Sequence, residues 1–260
     1  MQIGVLVKQV PDEPASARLT PGGALDRSAG PGVTDPVDRN AVEAAVQLAE
    51  ATGGTVTVIA MGPEGARAVL KECVSVGATA GVHVSDEGLA GSDALGTAHV
   101  LAAAVRSLGP VDLVLAGARS ADGATAAVPP MVAELLDLPQ VTNVTAIEAE
   151  DGALLCTQVL DDGHSRVRLP LPGLVSVDEY VNTPRYPSIK SKLAANKAVF
   201  PVLTAADLGV VDVVGAGAAR AVVVATEEPP ARQPGQRITG TDARDVAEKL
   251  VAALADAGAL

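Results

Sequence analysis

TVTVIAMGPEGARAVLKECVSVG, residues 55–77, writes a strand, a turn and a helix in succession. Thr55 to Ala60 is a short β-branched run without charge, the composition of a strand covered on both faces. Met61-Gly62-Pro63 interrupts it. From Glu64 to Val76 the apolar residues Ala68, Val69, Leu70 and Val74 recur at helical spacing, and Gly77 supplies the stop. The same unit repeats outward. Strands are expected at Gln2 to Val10, Gly81 to Val84, Asp112 to Ala116 and Leu174 to Val177, and helices at Asp38 to Ala51, Asp93 to Leu108 and Thr125 to Leu136. Largely apolar strands alternating with amphipathic helices predict an α/β fold: a doubly wound, mostly parallel, Rossmann-like sheet with helices on both faces.

After Pro139 the texture changes. Leu154 to Leu160, the turn Asp161-Asp162-Gly163 and His164 to Leu169 predict a β-hairpin appended to the domain and lying on it. The stretch TEEPPARQPGQRITG, residues 226–240, is rich in Pro, Gly and charge and reads as an extended arm. Asp242 to Ala255 then forms a helix with Val246, Leu250, Val251 and Leu254 on one stripe. The expected organisation is an α/β domain over residues 1–220 and a C-terminal arm and helix over 221–260. Such a helix either reaches a partner subunit or docks on its own domain.

At 260 residues the chain is long enough to bury a substantial core without staples. Its net charge of −12 argues against nucleic acid, whose binding draws affinity from Lys and Arg on phosphates. Cys73 and Cys156 stand far apart in no metal-binding or dithiol spacing, which fits a reducing cytoplasm. No apolar run reaches 18 residues, so no membrane span is expected. His83, His99 and His164 lie near no nucleophile motif, so no bond-making catalysis is expected of this chain.

Two regions carry candidate function. In doubly wound sheets, ligands bind beyond the carboxyl ends of the strands, where loops enter helices and free N–H groups can hold phosphate. Lys8 to Asp12, Met61-Gly62-Pro63 and the small-residue loop Gly117 to Val128 (GARSADGATAAV) occupy such places. The loop is equally readable as a plain βα turn, since it lacks the G-x-G-x-x-G and P-loop patterns. The second region is a reversal of charge: from Tyr180 to Ala206 there is no acid, while Arg185, Lys190, Lys192 and Lys197 give +4. Tyr180, Tyr186 and Phe200, every aromatic residue of the chain, lie in it too. Ser188 can cap a helix that places Ile189 and Leu193 on one face. A positive island with an aliphatic anchor suits a transient docking surface; alternatively Tyr186 and Ile189 are core and the lysines merely solvated.

The segments KQVPD at Lys8, LDR at Leu25, NAVEAAVQLAE at Asn40, VTVIAMGPEGA at Val56, GSD at Gly91, DLVLAG at Asp112, ADG at Ala121, AELLDLPQVT at Ala133, LPGLVSV at Leu171, NTPRYPSIK at Asn182 and DLGV at Asp207 occur in that order. Together they resemble the beta subunit of electron-transfer flavoproteins through most of the chain, with N-x-P-R-Y the most specific. The resemblance implies an adenine-nucleotide alpha-hydrolase-like form of the Rossmann-like fold and a heterodimer whose alpha subunit holds the redox-active FAD. The beta subunit would bind a structural AMP and pass electrons between flavin-dependent dehydrogenases and a downstream quinone oxidoreductase. The AMP site implied by the family maps to Leu6, Val7, Asp35, Met61, Gly62, Ala118, Asp122, Gly123, Thr125, Ala126, Ala127 and Val128. The docking loop maps to residues 184–193, with Arg185, Tyr186, Ile189, Lys190 and Leu193 facing the partner and Ile189 in place of the family's anchoring leucine.

Two departures from the family stand out. Where many members read D-G-D-T-x-Q-V-G-P, this chain reads Asp122-Gly123-Ala124-Thr125-Ala126-Ala127-Val128-Pro129-Pro130, lacking an acid and a glutamine amide. Phosphate contacts then fall to backbone amides and Thr125, and a second FAD, as in electron-bifurcating members, is disfavoured. The lysine run after the docking loop is thinned to Lys190, Lys192 and Lys197, which suits a dedicated partner dehydrogenase. The competing expectations are a bifurcating beta subunit and a stand-alone nucleotide-binding stress-type protein.

Overall fold

The computed structural model describes residues 1–12, 19–20, 22–23, 25–26, 32–227, 230 and 234–260. Arg27 of the LDR stretch and arm residues 228–229 and 231–233 lie outside the described residues. The chain forms two compact units, Met1–Val224 and Ala225–Leu260.

In the first unit β1 (Gln2–Val7) leads through two short strands, β2 (Gln9–Pro11) and β3 (Gly32–Thr34), to α1 (Pro36–Thr52). Then come β4 (Thr55–Met61), α2 (Arg67–Ser75), β5 (Ala80–Val84), α3 (Ala94–Ser107), β6 (Leu113–Gly117) and α4 (Val128–Leu136). The chain continues through β7 (Gln140–Glu150), β8 (Ala153–Leu160), β9 (Gly163–Pro170), β10 (Gly173–Val177), α5 (Ile189–Ala195) and β11 (Val202–Leu203). Among the described residues, nine strands make one sheet in the order β11-β5-β4-β1-β6-β10-β7-β8-β9. Pairing is parallel from β11 to β7 and antiparallel through β8 and β9. The expected doubly wound, mostly parallel α/β fold is therefore present.

Alternation along the strands feeds two cores. Ile3, Val5, Val56 and Val58 pack with Val42, Val46, Val69 and Leu70 of α1 and α2 on one face. Leu6, Ile59, Val82 and Val114 pack with Val100, Leu101 and Val132 of α3 and α4 on the other. Each buried aliphatic side chain contributes about 1.5–3 kcal/mol. On α2, Ala68 faces solvent while Cys73 is buried, so Cys73 completes the inward stripe where Ala68 was expected.

Three local expectations change. The first strand stops at Val7, because the Lys8 N–H goes to the Asp38 carboxylate at 2.7 Å rather than to a neighbouring strand. Gln9 to Pro11 then pairs with β3 in a separate two-stranded sheet. The helix expected from Thr125 begins only at Val128, since Ala124 and Ala126 adopt left-handed φ of 49° and 53° that no helix accepts. The hairpin does not lie on the domain: β7, absent from the sequence reading, joins it edgewise to β10.

In the second unit, α6 (Ala243–Asp256) is capped by Asp242, whose carboxylate accepts from the N–H groups of Arg244 and Asp245 at 2.9 and 3.0 Å. Its apolar residues Leu250, Val251 and Leu254 are exposed.

Candidate functional site

The chain runs from β1 outward to β4 and β5, then returns to β6 on the other side of β1. That reversal is the point where doubly wound sheets open a ligand crevice beyond their strand ends. The N-terminus of α1 closes it from below. Asp35 caps the helix: one carboxylate oxygen accepts from the Val37 N–H at 3.0 Å, the other from the Ala121 N–H at 2.6 Å. Its own N–H donates to the Lys8 carbonyl at 3.0 Å. Asp38, one turn on, accepts from the Lys8 N–H at 2.7 Å and the Gly117 N–H at 3.0 Å. Two buried carboxylates thus tie the ends of β1 and β6 and the following loop to one helix. Burial above all, and then the charge of Asp35, pushes the Asp38 carboxyl up to about 8, against the lowering effect of its two backbone donors.

Lys8 reaches over the crevice, its Nζ donating to Asp122 Oδ1 at 2.6 Å and to Ser120 Oγ at 3.2 Å. In the loop above, the left-handed Ala124 and Ala126 are strained positions for residues with a Cβ. Ala126 is followed by Ala127 at φ −90°, ψ −29°, and this left-then-right succession turns consecutive N–H groups to one side, a geometry that binds anions. Among the described residues, the N–H groups of Thr125, Ala126 and Val128 have no protein acceptor, and that of Ala127 meets only Thr125 Oγ1 at 3.5 Å. Several other loop donors are occupied: Ala121 by Asp35, Gly123 by Ser120 and Asp122, Ala124 by the Ser120 carbonyl. Pro129 and Pro130 offer none. An open cleft of about 390 Å³ adjoins the loop, lined by Ala118, Ala126, Pro130, Asn143, Gln158 and Ser176 among others. Its far wall is a β-bulge in β7, where Asn143 takes φ 52° and donates its N–H to Ser176 Oγ at 3.3 Å.

The structure brings most of the expected nucleotide residues to one sheet end. Met61 ends β4 and Gly62 follows it, Ala118 follows β6, and Asp122, Gly123 and Thr125 to Ala127 lie in the loop that leads into α4 at Val128. Leu6 and Val7 stand apart from the rest, because their side chains are buried in opposite cores and leave only backbone at the strand end. Gly62 is held by β5, donating to the Val84 carbonyl at 3.0 Å and lying 3.1 Å from His83 Nε2 through its carbonyl. Lys8 as a side chain, Asp38, Ser120 and the Asn143 bulge escaped the sequence reading. The pair Asp35 and Asp38 around Pro36 at a helix start was a visible capping signal; the bulge had none.

On another surface, Ser188 caps α5 by accepting from the Ser191 N–H at 3.0 Å. Tyr186 is 96 % exposed, Ile189 82 % and Leu193 61 %, so none is core. Lys190 and Lys192 are exposed on the same helix, and Tyr180 and Val199 in the flanking chain are exposed as well. Arg185, expected to face the partner, is engaged within the chain. Its guanidinium bridges Glu43 and Glu50 of α1 at 2.7–3.1 Å.

A doubly wound, mostly parallel sheet with a strand-end crevice, an amide nest at its rim and an exposed apolar helix defines an α/β protein of the Rossmann-like class. Residues 22–208 match the electron transfer flavoprotein domain family. The chain is 39 % identical over 259 residues to "Electron transfer flavoprotein subunit beta" of Mycobacterium tuberculosis, covering 96 % of this chain and 97 % of that one. It is 39 % identical over 243 residues to the subunit of the same name from Thermoanaerobacterium thermosaccharolyticum, covering 92 % and 93 %. Identity is 35 % over 257 residues to "Caffeyl-CoA reductase-Etf complex subunit CarD" of Acetobacterium woodii, covering 98 % of both. The chain belongs to the electron transfer flavoprotein family, as a beta subunit, and its role is in electron transfer. Among the described residues no helix is long and apolar enough to cross a membrane.

Proposed function

We propose that this chain pairs with an alpha subunit holding the redox-active FAD, docks flavin-dependent dehydrogenases through α5, and serves a quinone oxidoreductase downstream. The bound flavin supplies the electron-accepting and electron-donating chemistry. This chain positions the complex. The observation that carries the reading is the apolar, capped and exposed α5 with Lys190 and Lys192 beside it on an otherwise acidic protein. Charge of that kind speeds encounter, and a small apolar anchor supplies short-lived affinity. Residues 221–260 are the segment proposed to reach the alpha subunit, with Leu250, Val251 and Leu254 as contacts. Two buried free thiols support placing the protein in the cytoplasm.

Ile189→Ala tests the docking. Its apparent KM for a flavin dehydrogenase that reduces the wild-type heterodimer should rise about tenfold, the loss of about 1.4 kcal/mol expected of a truncated anchor, while flavin content and assembly stay unchanged. An unaltered KM would remove α5 from the docking surface.

At the strand ends we propose AMP. The residues fit one phosphate, held by the N–H groups of Ala126, Ala127 and Val128 with Thr125 beside it, and the strained Ala124 and Ala126 support that use. A dinucleotide brings a pyrophosphate, and beside this nest the N–H groups of Ala121, Gly123 and Ala124 are already bonded, while Pro129 and Pro130 offer none. Nucleotide released from the purified heterodimer should therefore contain one FAD and one AMP. Two FAD would favour the bifurcating arrangement, and AMP or ATP on a flavin-free homodimer would favour the stand-alone nucleotide-binding protein.

A further inference from the structure

Between β10 and α5 the chain forms neither strand nor helix; α5 packs on α2, and the segment that leads into it is held by side chains. One polar ridge of α1 holds that segment. Asn40 Nδ2 donates to the carbonyls of Glu179 and Asn182 at 3.1 and 2.9 Å, and Asn182 Nδ2 returns a bond to the Asn40 carbonyl at 3.0 Å. Glu43, nearly buried, accepts from the Arg185 backbone N–H at 3.1 Å and from its Nε at 2.9 Å. Arg185 Nη1 and Nη2 reach the two oxygens of Glu50 at 2.7 and 3.0 Å, and Nη2 also meets Glu43 Oε1 at 3.1 Å. Gln47, between the two acids, braces Glu43 through a 2.7 Å bond.

A planar guanidinium held by two carboxylates is fixed in direction as well as position. A cation that steers a partner must instead face water with its charge uncompensated. We propose that Arg185 is a positioning residue, which by bridging Glu43 and Glu50 on α1 sets the geometry of the exposed Tyr186, Ile189 and Leu193 patch and does not itself touch the docked dehydrogenase. The inference rests on the docking role of α5. Although burial pushes the Glu43 carboxyl upward, the Arg185 bonds outweigh it and hold the acid below its usual range, as the Arg185 bond does for Glu50. The Arg185 guanidinium is correspondingly shifted upward by both acids. Pro184 and Pro187 flank the clamp and limit the conformations it must select.

The test uses the alpha–beta heterodimer and four beta-subunit variants: Arg185→Ala, Glu43→Gln, the milder Glu50→Gln, and the Arg185→Ala/Glu43→Gln double. Amide hydrogen exchange over residues 186–196 should quicken about tenfold in Arg185→Ala and Glu43→Gln, less in Glu50→Gln, with the sheet unchanged. The KM for a flavin dehydrogenase that reduces the wild-type heterodimer should rise about fivefold in the same variants, with kcat and flavin content retained. The double variant should be no worse than Arg185→Ala alone, because both changes open one clamp. Normal exchange and KM in both Glu43→Gln and Glu50→Gln, with a salt-dependent rise in KM confined to Arg185→Ala, would overturn the proposal and make Arg185 a partner contact. Ile189→Ala separates the two ideas: it should raise KM without changing exchange, and its failure to do so would remove the docking reading while the exchange data still judge the clamp.

Discussion

Gly117→Ala should lower the unfolding free energy by about 3 kcal/mol, at the upper end of overpacking costs, and impair recovery of the heterodimer. Gly117 ends β6 directly over the start of α1. A Cβ there would lie 2.5 Å from Asp38 Oδ1 and 3.1 Å from both the Asp38 nitrogen and the Val37 carbonyl carbon. Two of those three contacts are backbone at the capped start of a helix, where little can move. Relief therefore requires the Asp38 carboxylate to retreat from the Gly117 N–H, which it holds at 3.0 Å, leaving a buried donor unpaired. Denaturant unfolding of the wild type and variant measures the loss. A change below about 1 kcal/mol, within the range of an ordinary surface substitution or a well-absorbed methyl, would mean that the strand end is softer than its packing indicates.

Asp38→Asn should change how stability depends on pH. An aspartate whose native pKa is raised from 3.8 to about 8 keeps its proton in the folded chain over a range in which the unfolded chain has released it. The folded state then binds more protons, so stability is greatest at low pH and is lost as pH rises through that window, by up to about 1.4 kcal/mol per pH unit for one group. Other acids titrate in the same range, so the difference between wild type and variant is the quantity to read. The amide that replaces the carboxyl in Asp38→Asn cannot titrate. Subtracting the variant's curve from that of the wild type should leave a contribution falling between pH 5 and 7.5, worth on the order of 3 kcal/mol across the interval. Parallel curves would show that Asp38 is ionised throughout and that its two backbone donors, at 2.7 and 3.0 Å, outweigh its burial.

The candidate site was legible to different depths in its different parts. The loop after β6 and the α5 segment could be found from small-residue content and from charge reversal, because both are properties of contiguous residues. What those residues do could not. Arg185 and Glu43 are separated by 142 positions, and no local pattern distinguishes an arginine that steers a partner from one that fastens a loop. Lys8 and Asp122 meet across 114 positions for the same reason.

The sequence by itself determined the class of fold, since alternating apolar strands and amphipathic helices can bury their apolar faces only as a covered parallel sheet. It also marked the capped start of α5 at Ser188, because a cap is satisfied within four residues. Only the tertiary structure decided that β1 stops at Val7, that the hairpin extends the sheet, and that Arg185 is held on α1. Each depends on a hydrogen-bond partner or strand neighbour brought in from elsewhere in the chain: Asp38 for Lys8, Ser176 for the Asn143 bulge, Glu43 and Glu50 for Arg185. Buried polar groups must be paired, and which groups meet is a property of the folded chain.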